Sequence, residues 1–289
     1  MKISRLDAGL TAANFILLGI FALAVVLPFW EIICKSFMSD YDIMRAKLVL
    51  WPKNWQIKGY ITIFNDRTYN FGRAFINSVI ITAAVTLYQL AVTSLAAYAL
   101  TKKTLPGRKL FMFYIVFTMY FGGGLIPYYI LLRSLGLLNK ILALIIPQFF
   151  SVFNALVMMA FFKELPEELF DAAKIDGAGN FKVFAVIVLP LSKAVLATIA
   201  LFIAVGTWNN WFTALLFIQK AELRPIAYTL QIIIERSRAT NTEIGGSPVI
   251  IGQSVQYAAI VVALLPIMAV YPFLQKHFTK GVMIGSVKG

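Results

Sequence analysis

The sequence predicts an all-α membrane protein of six transmembrane helices, and three observations carry that class. Hydrophobic residues make up 60% of the 289 positions and charged residues 13%, and the mean hydropathy is +0.80. Ordinary globular domains run roughly 45–50% apolar and about 25% charged. Six apolar runs approach or exceed the roughly 20 residues that a helix needs to cross a bilayer. They cover about 10–33, 75–100, 110–132, 141–162, 187–218 and 255–274. None alternates with a period of two, which disfavours a membrane barrel. Backbone groups in lipid must pair within their own segment, so the runs are expected to be helices. The same composition excludes intrinsic disorder and argues against a soluble enzyme.

The first run has a rival reading. Lys2 and Arg5 precede it, and Ala22-Leu23-Ala24 resembles a signal-peptidase site. The apolar sequence nevertheless continues to Ile33, interrupted only by Glu31. At about 1.5 Å per residue it reaches about 35 Å, which favours a retained helix. Six crossings put both termini on one side. The basic residues divide evenly between the two sides, but the segments sharing the termini's side are shorter and denser in charge. The loop holding Lys102, Lys103, Arg108 and Lys109 is purely basic. The positive-inside rule therefore favours cytoplasmic termini of a multi-pass protein of the cell membrane. In so apolar a chain the net charge of +13 points to anionic membrane lipid as partner rather than nucleic acid. One cysteine, Cys34, and one histidine, His277, exclude a disulfide framework and a Cys/His metal cluster within the chain, so no metal ligand is assigned.

The connection between the fourth and fifth runs is more than a loop. It reads KELPEELFDAAKIDGAGNFKVFAV and carries Glu164, Glu167, Glu168, Asp171 and Asp176. Pro166 followed by two acids is a helix start, since proline suits the first turn and carboxylates suit the positive end of the dipole. Ala172 and Ala173 favour helix and are small enough to let another surface approach. Gly177 supplies the left-handed residue that stops such a helix. The expectation is a short helix over about 166–177 that offers Asp171 to a basic partner. The plainer reading is an amphipathic connector lying on the membrane, and acids beside anionic lipid speak against it.

Asp171-Ala172-Ala173 is followed after three residues by Gly177 and, nine residues later, by Ile187-Val188-Leu189-Pro190. This resembles the EAA motif of ABC importer permeases, with Asp171 in place of the usual glutamate. The resemblance implies that Glu168, Asp171, Ala172, Ala173 and Gly177 form the coupling helix, which docks in a groove of the ATPase subunit. Gly123-Gly124-Leu125-Ile126-Pro127, Leu135-Gly136-Leu137-Leu138-Asn139 and Thr207-Trp208-Asn209-Asn210-Trp211-Phe212 are similar to permeases of oligosaccharide ABC importers in the maltose-importer branch. The implied fold is that of a type I importer permease, working by alternating access. The implied partners are a second, different permease chain, two ATP-binding subunits that hold ATP and magnesium, and an extracytoplasmic solute-binding protein. That protein would contact the outer segments Lys35–Arg73 and Arg236, Arg238–Gly252. The C-terminal Lys280-Gly281-Val282-Met283 to Gly289 is similar to tails that reach the ATPase dimer interface, although its composition is equally that of a disordered terminus. The positive balance leaves room for an acidic oligosaccharide such as a uronate chain.

The chain has no GxxxxGK[ST] loop, so it holds no nucleotide by that device. Gly122-Gly123-Gly124 lacks the following lysine and reads as a kink or a close helix contact. No catalytic residue is assigned, and ATP hydrolysis is left to partner subunits. Two other classes compete. A secondary active sugar carrier is disfavoured because no span has an acid near its middle, and a non-transporting assembly protein is disfavoured by the acidic inner helix.

Polar side chains within the spans mark a candidate substrate path. Trp208, Asn209, Asn210 and Trp211 combine amides for sugar hydroxyls with aromatic faces for pyranose rings. Counted from Ile187 along one unbroken helix, Trp208 lies about 31 Å up, where an interfacial aromatic belt is the competing reading. Gln148, Ser151 and Asn154 recur at three-residue spacing on one expected helix face, with interhelical hydrogen bonding as the alternative.

Overall fold

A computed structural model describes residues 5–66, 68–239 and 252–285. Among them there are helices and no strands. In chain order the helices are α1 (Arg5–Ser36), α2 (Asp40–Arg45), α3 (Lys58–Asn65), α4 (Phe71–Thr101), α5 (Arg108–Tyr120) and α6 (Leu125–Ser134). They continue as α7 (Leu142–Gln148), α8 (Val152–Lys163), α9 (Glu167–Ile175), α10 (Asn180–Leu191), α11 (Lys193–Trp208) and α12 (Phe212–Phe217). The last two are α13 (Ile226–Ala239) and α14 (Gln253–Gly285).

Among the described residues three helices hold spans long and apolar enough to cross a membrane: Ala13–Ser36 in α1, all of α4, and Gln253–Val270 in α14. Three further candidates are bent pairs: α5 with α6 at 111°, α7 with α8 at 42°, and α10 with α11 at 82°. Hydropathy registers how long an apolar run is and does not register a bend inside it. The expectation of continuous helices over 141–162 and 187–218 is therefore corrected, while in 110–132 the bend falls at the three glycines for which a kink is one of the two expected readings, and each break has a local cause. Between α5 and α6 lie Gly122, Gly123 and Gly124, and Gly124 takes φ +81°, a conformation that side chains resist. Ser151 caps α8 by accepting a hydrogen bond on Oγ from Asn154 N at 3.3 Å. Gln148, Ser151 and Asn154 thus span a break and do not share one helix face. In α10 a turn of π-helix, Phe184–Val188, precedes Pro190. Proline has no N–H to return to the carbonyl four residues back, and the helix turns at Ser192. The Ser192 hydroxyl is fully buried and has no hydrogen-bond partner.

The chain divides into two compact units, Met1–Tyr69 with Leu230–Leu265, and Asn70–Thr229 with Pro266–Gly289. In the larger unit α4 is central and packs against α11 and α8. Its core includes Val85, Ala97, Met158, Phe162, Val188 and Ile199. Polar anchors fix the connection before α13 to α4. Asn77 Nδ2 donates to Glu222 O at 2.9 Å and Arg224 O at 3.2 Å, and Ile226 N donates to Ser78 Oγ at 2.7 Å. In the smaller unit Cys34, Met38, Ile43 and Val49 form a core with Ala46 and Tyr257 against it. Ser254 N donates to Asp40 Oδ1 at 2.7 Å. Gly59 is a close approach, since a Cβ there would lie 2.6 Å from Ser254 O.

Candidate coupling helix and translocation cleft

The α9 helix is built as its sequence demands. Pro166 stands at the N-cap with Glu167 and Glu168 in the first turn, and Lys174 lies in the last, each charge matching its end of the dipole. The helix stops in a Schellman arrangement: Gly177 takes φ +69°, Gly177 N donates to Lys174 O at 3.0 Å, and Ala178 N donates to Ala173 O at 2.9 Å.

The two faces of α9 differ. Phe170 and Ala173 pack inward on the core of the larger unit. Lys102 ties the inward face to the basic loop, its ammonium lying 4.4 Å from the Tyr98 ring centroid and 4.5 Å from that of Phe170. Such cation–aromatic contacts are worth about 0.5–1 kcal/mol where solvent reaches them. Glu168, Asp171, Ala172 and Ile175 are exposed on the other side. Asp171 bonds Lys174 Nζ at 2.9 Å in a pair exposed to solvent. The carboxylate pushes Lys174 up from the ordinary lysine value, by its hydrogen bond first and its charge second. An exposed pair of this kind is weak and exchanges readily for another partner.

The expectation that Ala172 and Ala173 both face a partner is corrected. Ala172 is exposed, whereas Ala173 is only 6% exposed and belongs to the chain's own core. Ile175, 87% exposed at the end of the same face, went unnoticed because an isoleucine beside Asp-Gly reads as a plain helix terminus. Enlarging Ala173 tests the assignment of faces. Ala173→Leu is expected to destabilise the chain by about 1–3 kcal/mol through overpacking. Ala172→Leu is expected to change stability by less than about 0.5 kcal/mol. Thermal unfolding in detergent measures both.

A cleft of about 330 Å³ is lined by Gln89, Gln148, Phe153, Asn154, Phe202, Ile203, Gly206 and Thr207. It brings together residues of α4, α7, α8 and α11. A neighbouring cavity of about 10 Å³ is lined in part by Ser78, Gln148, Thr207 and Asn210, so Gln148 and Thr207 border both. Gln148 is held by two bonds: its Nε2 donates to Leu144 O at 2.8 Å, and its Oε1 accepts from Thr207 Oγ1 at 3.4 Å. None of the residues lining the cleft is charged. Amides, a hydroxyl and two phenyl rings suit a polyhydroxylated ligand with apolar ring faces.

The structure brings only part of the expected path together. Gln148 and Asn154 line the cleft, and Asn210 lines the small cavity beside it. Asn209 and Asn210 sit in the break after α11, where Asn209 Nδ2 donates to Val205 O at 3.0 Å and Asn210 Oδ1 accepts from Thr213 N at 3.1 Å. Both therefore close helix ends. Trp208 is buried and meets Phe75 edge-on with centroids 5.7 Å apart, and Trp211 packs likewise on Phe212 at 5.7 Å. Neither tryptophan lines the cleft. Because α11 starts at Lys193, Trp208 ends a 16-residue helix about 24 Å long, which revises the 31 Å counted from Ile187. The aromatic faces come instead from Phe153 and Phe202, which, like Gln89 and Thr207, were missed as site residues. Of these only Gln89 and Thr207 carry a signal in the sequence, each a polar residue within an apolar run.

In the smaller unit Arg236 Nη1 donates to the Tyr69 hydroxyl at 3.1 Å. The side chain of Arg238, the segment 240–251 and the tail residues Ser286–Gly289 lie outside the described residues, as do the side chains of 271–285.

A helical membrane domain with an uncharged polar cleft and an exposed surface helix is the arrangement expected of a transporter's membrane subunit, a permease. Residues 106–284 match the family described as binding-protein-dependent transport system inner membrane component, and the chain belongs to that family. It is 42% identical over 278 residues to Protein LplC of Bacillus subtilis, covering 96% of this chain and 94% of that protein. It is 41% identical over 273 residues to the polygalacturonan/rhamnogalacturonan transport system permease protein YtcP of Bacillus subtilis, covering 93% and 94%. A chain in the crystal structure of a bacterial ABC transporter involved in the import of the acidic polysaccharide alginate matches with a TM-score of 0.83 and 30% identity, covering 95% of this chain and 98% of that one. The chain is thus a membrane-embedded permease subunit of an ABC importer and stands among sugar permeases. ATP hydrolysis belongs to a separate subunit, and the family works with a partner permease and a solute-binding protein.

Proposed function

We propose that this chain forms half of the path by which an acidic oligosaccharide enters the cell, and that α9 is where ATP-driven closure of the motor subunits reaches the membrane helices. The uncharged amide-lined cleft at Gln89, Gln148, Asn154 and Thr207 is the observation that carries the reading. It supplies hydrogen-bond donors for hydroxyl and carboxylate oxygens, and no carboxylate of its own lines it to repel an anionic sugar. The net charge of +13 agrees with an anionic cargo. So do the relatives named for polygalacturonan/rhamnogalacturonan and alginate. The assembly we infer pairs this chain with a second, different permease chain and with two ATPases that hold ATP and magnesium. An extracytoplasmic binding protein delivers substrate, and both termini of this chain are cytoplasmic.

Substrate competition in proteoliposomes holding the whole assembly tests the cargo. Oligogalacturonate is expected to compete for uptake at least about tenfold better than a neutral oligosaccharide of equal length, a difference of about 1.4 kcal/mol. Equal competition would overturn the acidic assignment. The purified chain alone is expected neither to hydrolyse ATP nor to transport.

A further inference from the structure

The segment from Arg45 to Lys58 reads RAKLVLWPKNWQIK and holds Arg45, Lys47, Lys53 and Lys58 with no acid. It is fastened to the end of α1. Trp30 Nε1 donates to Leu50 O at 2.9 Å, and Gln56 N donates to Phe37 O at 2.8 Å. Val49 is buried in the core with Cys34, while its neighbours Leu48 and Leu50 are exposed. A series of ring contacts links Trp30 to Trp51 at 6.3 Å, Trp51 to Trp55 at 5.5 Å, Trp55 to Phe37 at 5.3 Å and Phe37 to Tyr60 at 5.2 Å. Trp51 is 64% exposed and Trp55 58%, and Leu48, Leu50 and Ile57 stand exposed beside them.

We propose that Arg45–Lys58 is an interfacial membrane anchor, seating Trp51, Trp55 and the exposed aliphatic side chains among the lipids of the leaflet where α1 ends, with its cations on anionic headgroups. Three observations select lipid over other occupants. The first is continuity. Every described residue from Leu10 to Trp30 is exposed on α1, so the ring series begins on the uncovered surface of a membrane span. That span, Ala13–Ser36, is 24 residues long, about 36 Å against a hydrocarbon core of about 30 Å, which places Trp30 near one interface. Tryptophan and tyrosine favour that depth. The second is composition, since cations flanking aromatic and aliphatic side chains are what an in-plane anchor on anionic lipid requires. The third is ring geometry. The rings are inclined to one another by 35° to 73°, so they pack on each other and present no flat platform for successive sugar rings. The exposed leucines and isoleucine have no part in a sugar site. The inference is independent of what the importer carries.

Nitroxide labels on Trp51→Cys, Trp55→Cys and, as a control beyond the segment, Asn65→Cys test the anchor. Each is made in a Cys34→Ala chain assembled with its partners in phosphatidylcholine vesicles, with or without phosphatidylglycerol. Labels at 51 and 55 are expected to meet dissolved oxygen several-fold more than a water-soluble nickel complex, and the bias is expected to grow with phosphatidylglycerol. The label at 65 is expected to show the reverse. Free access of nickel at 51 and 55 overturns the proposal, whether the label then becomes shielded by the binding protein, by an acidic oligosaccharide or by nothing. A second measurement, on the chain that keeps Cys34, does without that replacement. Brominated lipids are expected to quench its tryptophan fluorescence more than they quench a Trp51→Phe, Trp55→Phe chain, and equal quenching counts against the anchor.

Discussion

Changing Ile175 to aspartate is expected to cut ATP-driven uptake by at least about tenfold while the chain still folds and inserts. Ile175 is 87% exposed, so a charge there leaves the core intact. In the proposed assembly the same side chain is the apolar end of the α9 face that also holds Glu168, Asp171 and Ala172. Loss of a residue that anchors an interface costs about 2 kcal/mol or more, which is about 30-fold in a binding constant. Ile175→Leu keeps the apolar surface and is expected to retain uptake. Uptake and binding-protein-stimulated ATP hydrolysis are measured together in proteoliposomes. Both are expected to fall for Ile175→Asp, since the motor is disconnected. An Ile175→Asp importer with normal uptake would remove α9 from the energy path.

The second large effect falls on the cleft. The double replacement Gln89→Leu, Asn154→Leu is expected to reduce uptake about 10- to 100-fold while the motor still responds to the loaded binding protein. Each lost hydrogen bond to a passing sugar contributes about 0.5–1.5 kcal/mol, and the two together approach a hundredfold at the upper end. Gln148 is the poorer probe, because its bonds to Leu144 O and Thr207 mix folding with transport. Uptake unchanged in the double variant, with the protein present at normal level, would take the cleft out of the path.

The fold was legible where it depended on local chemistry. Pro166, the two following glutamates and Gly177 specify the start, dipole match and stop of α9 without help from the rest of the chain. The apolar runs are equally plain, because crossing lipid demands length and apolar surface. What a linear reading could not supply was direction. The three glycines ending at Gly124 marked a possible kink, but the runs that turn at Ser151 and Ser192 look continuous, and hydropathy averaged over a run does not register a turn. The fate of Ala173 depends on which side of a nine-residue helix meets the core of the larger unit, and that follows from tertiary packing rather than from alanine itself. The tryptophans beside Asn209 and Asn210 drew attention as sugar-binding types. Their neighbours Phe75 and Phe212 use them for packing, while the cleft draws its rings from Phe153 and Phe202, which look like ordinary membrane-facing residues in sequence.

Site-directed crosslinking along α9 tests most directly whether this helix conveys the motor's work. Cysteines replace Ala172, Ala173 and Ile175 one at a time in the assembled importer, against the buried free thiol of Cys34. Ala172→Cys and Ile175→Cys are expected to form covalent products with the ATP-hydrolysing subunit, with yields that change on adding nucleotide, and Ala173→Cys is expected to form little. Equal yields at all three positions, or none at 172 and 175, would contradict it.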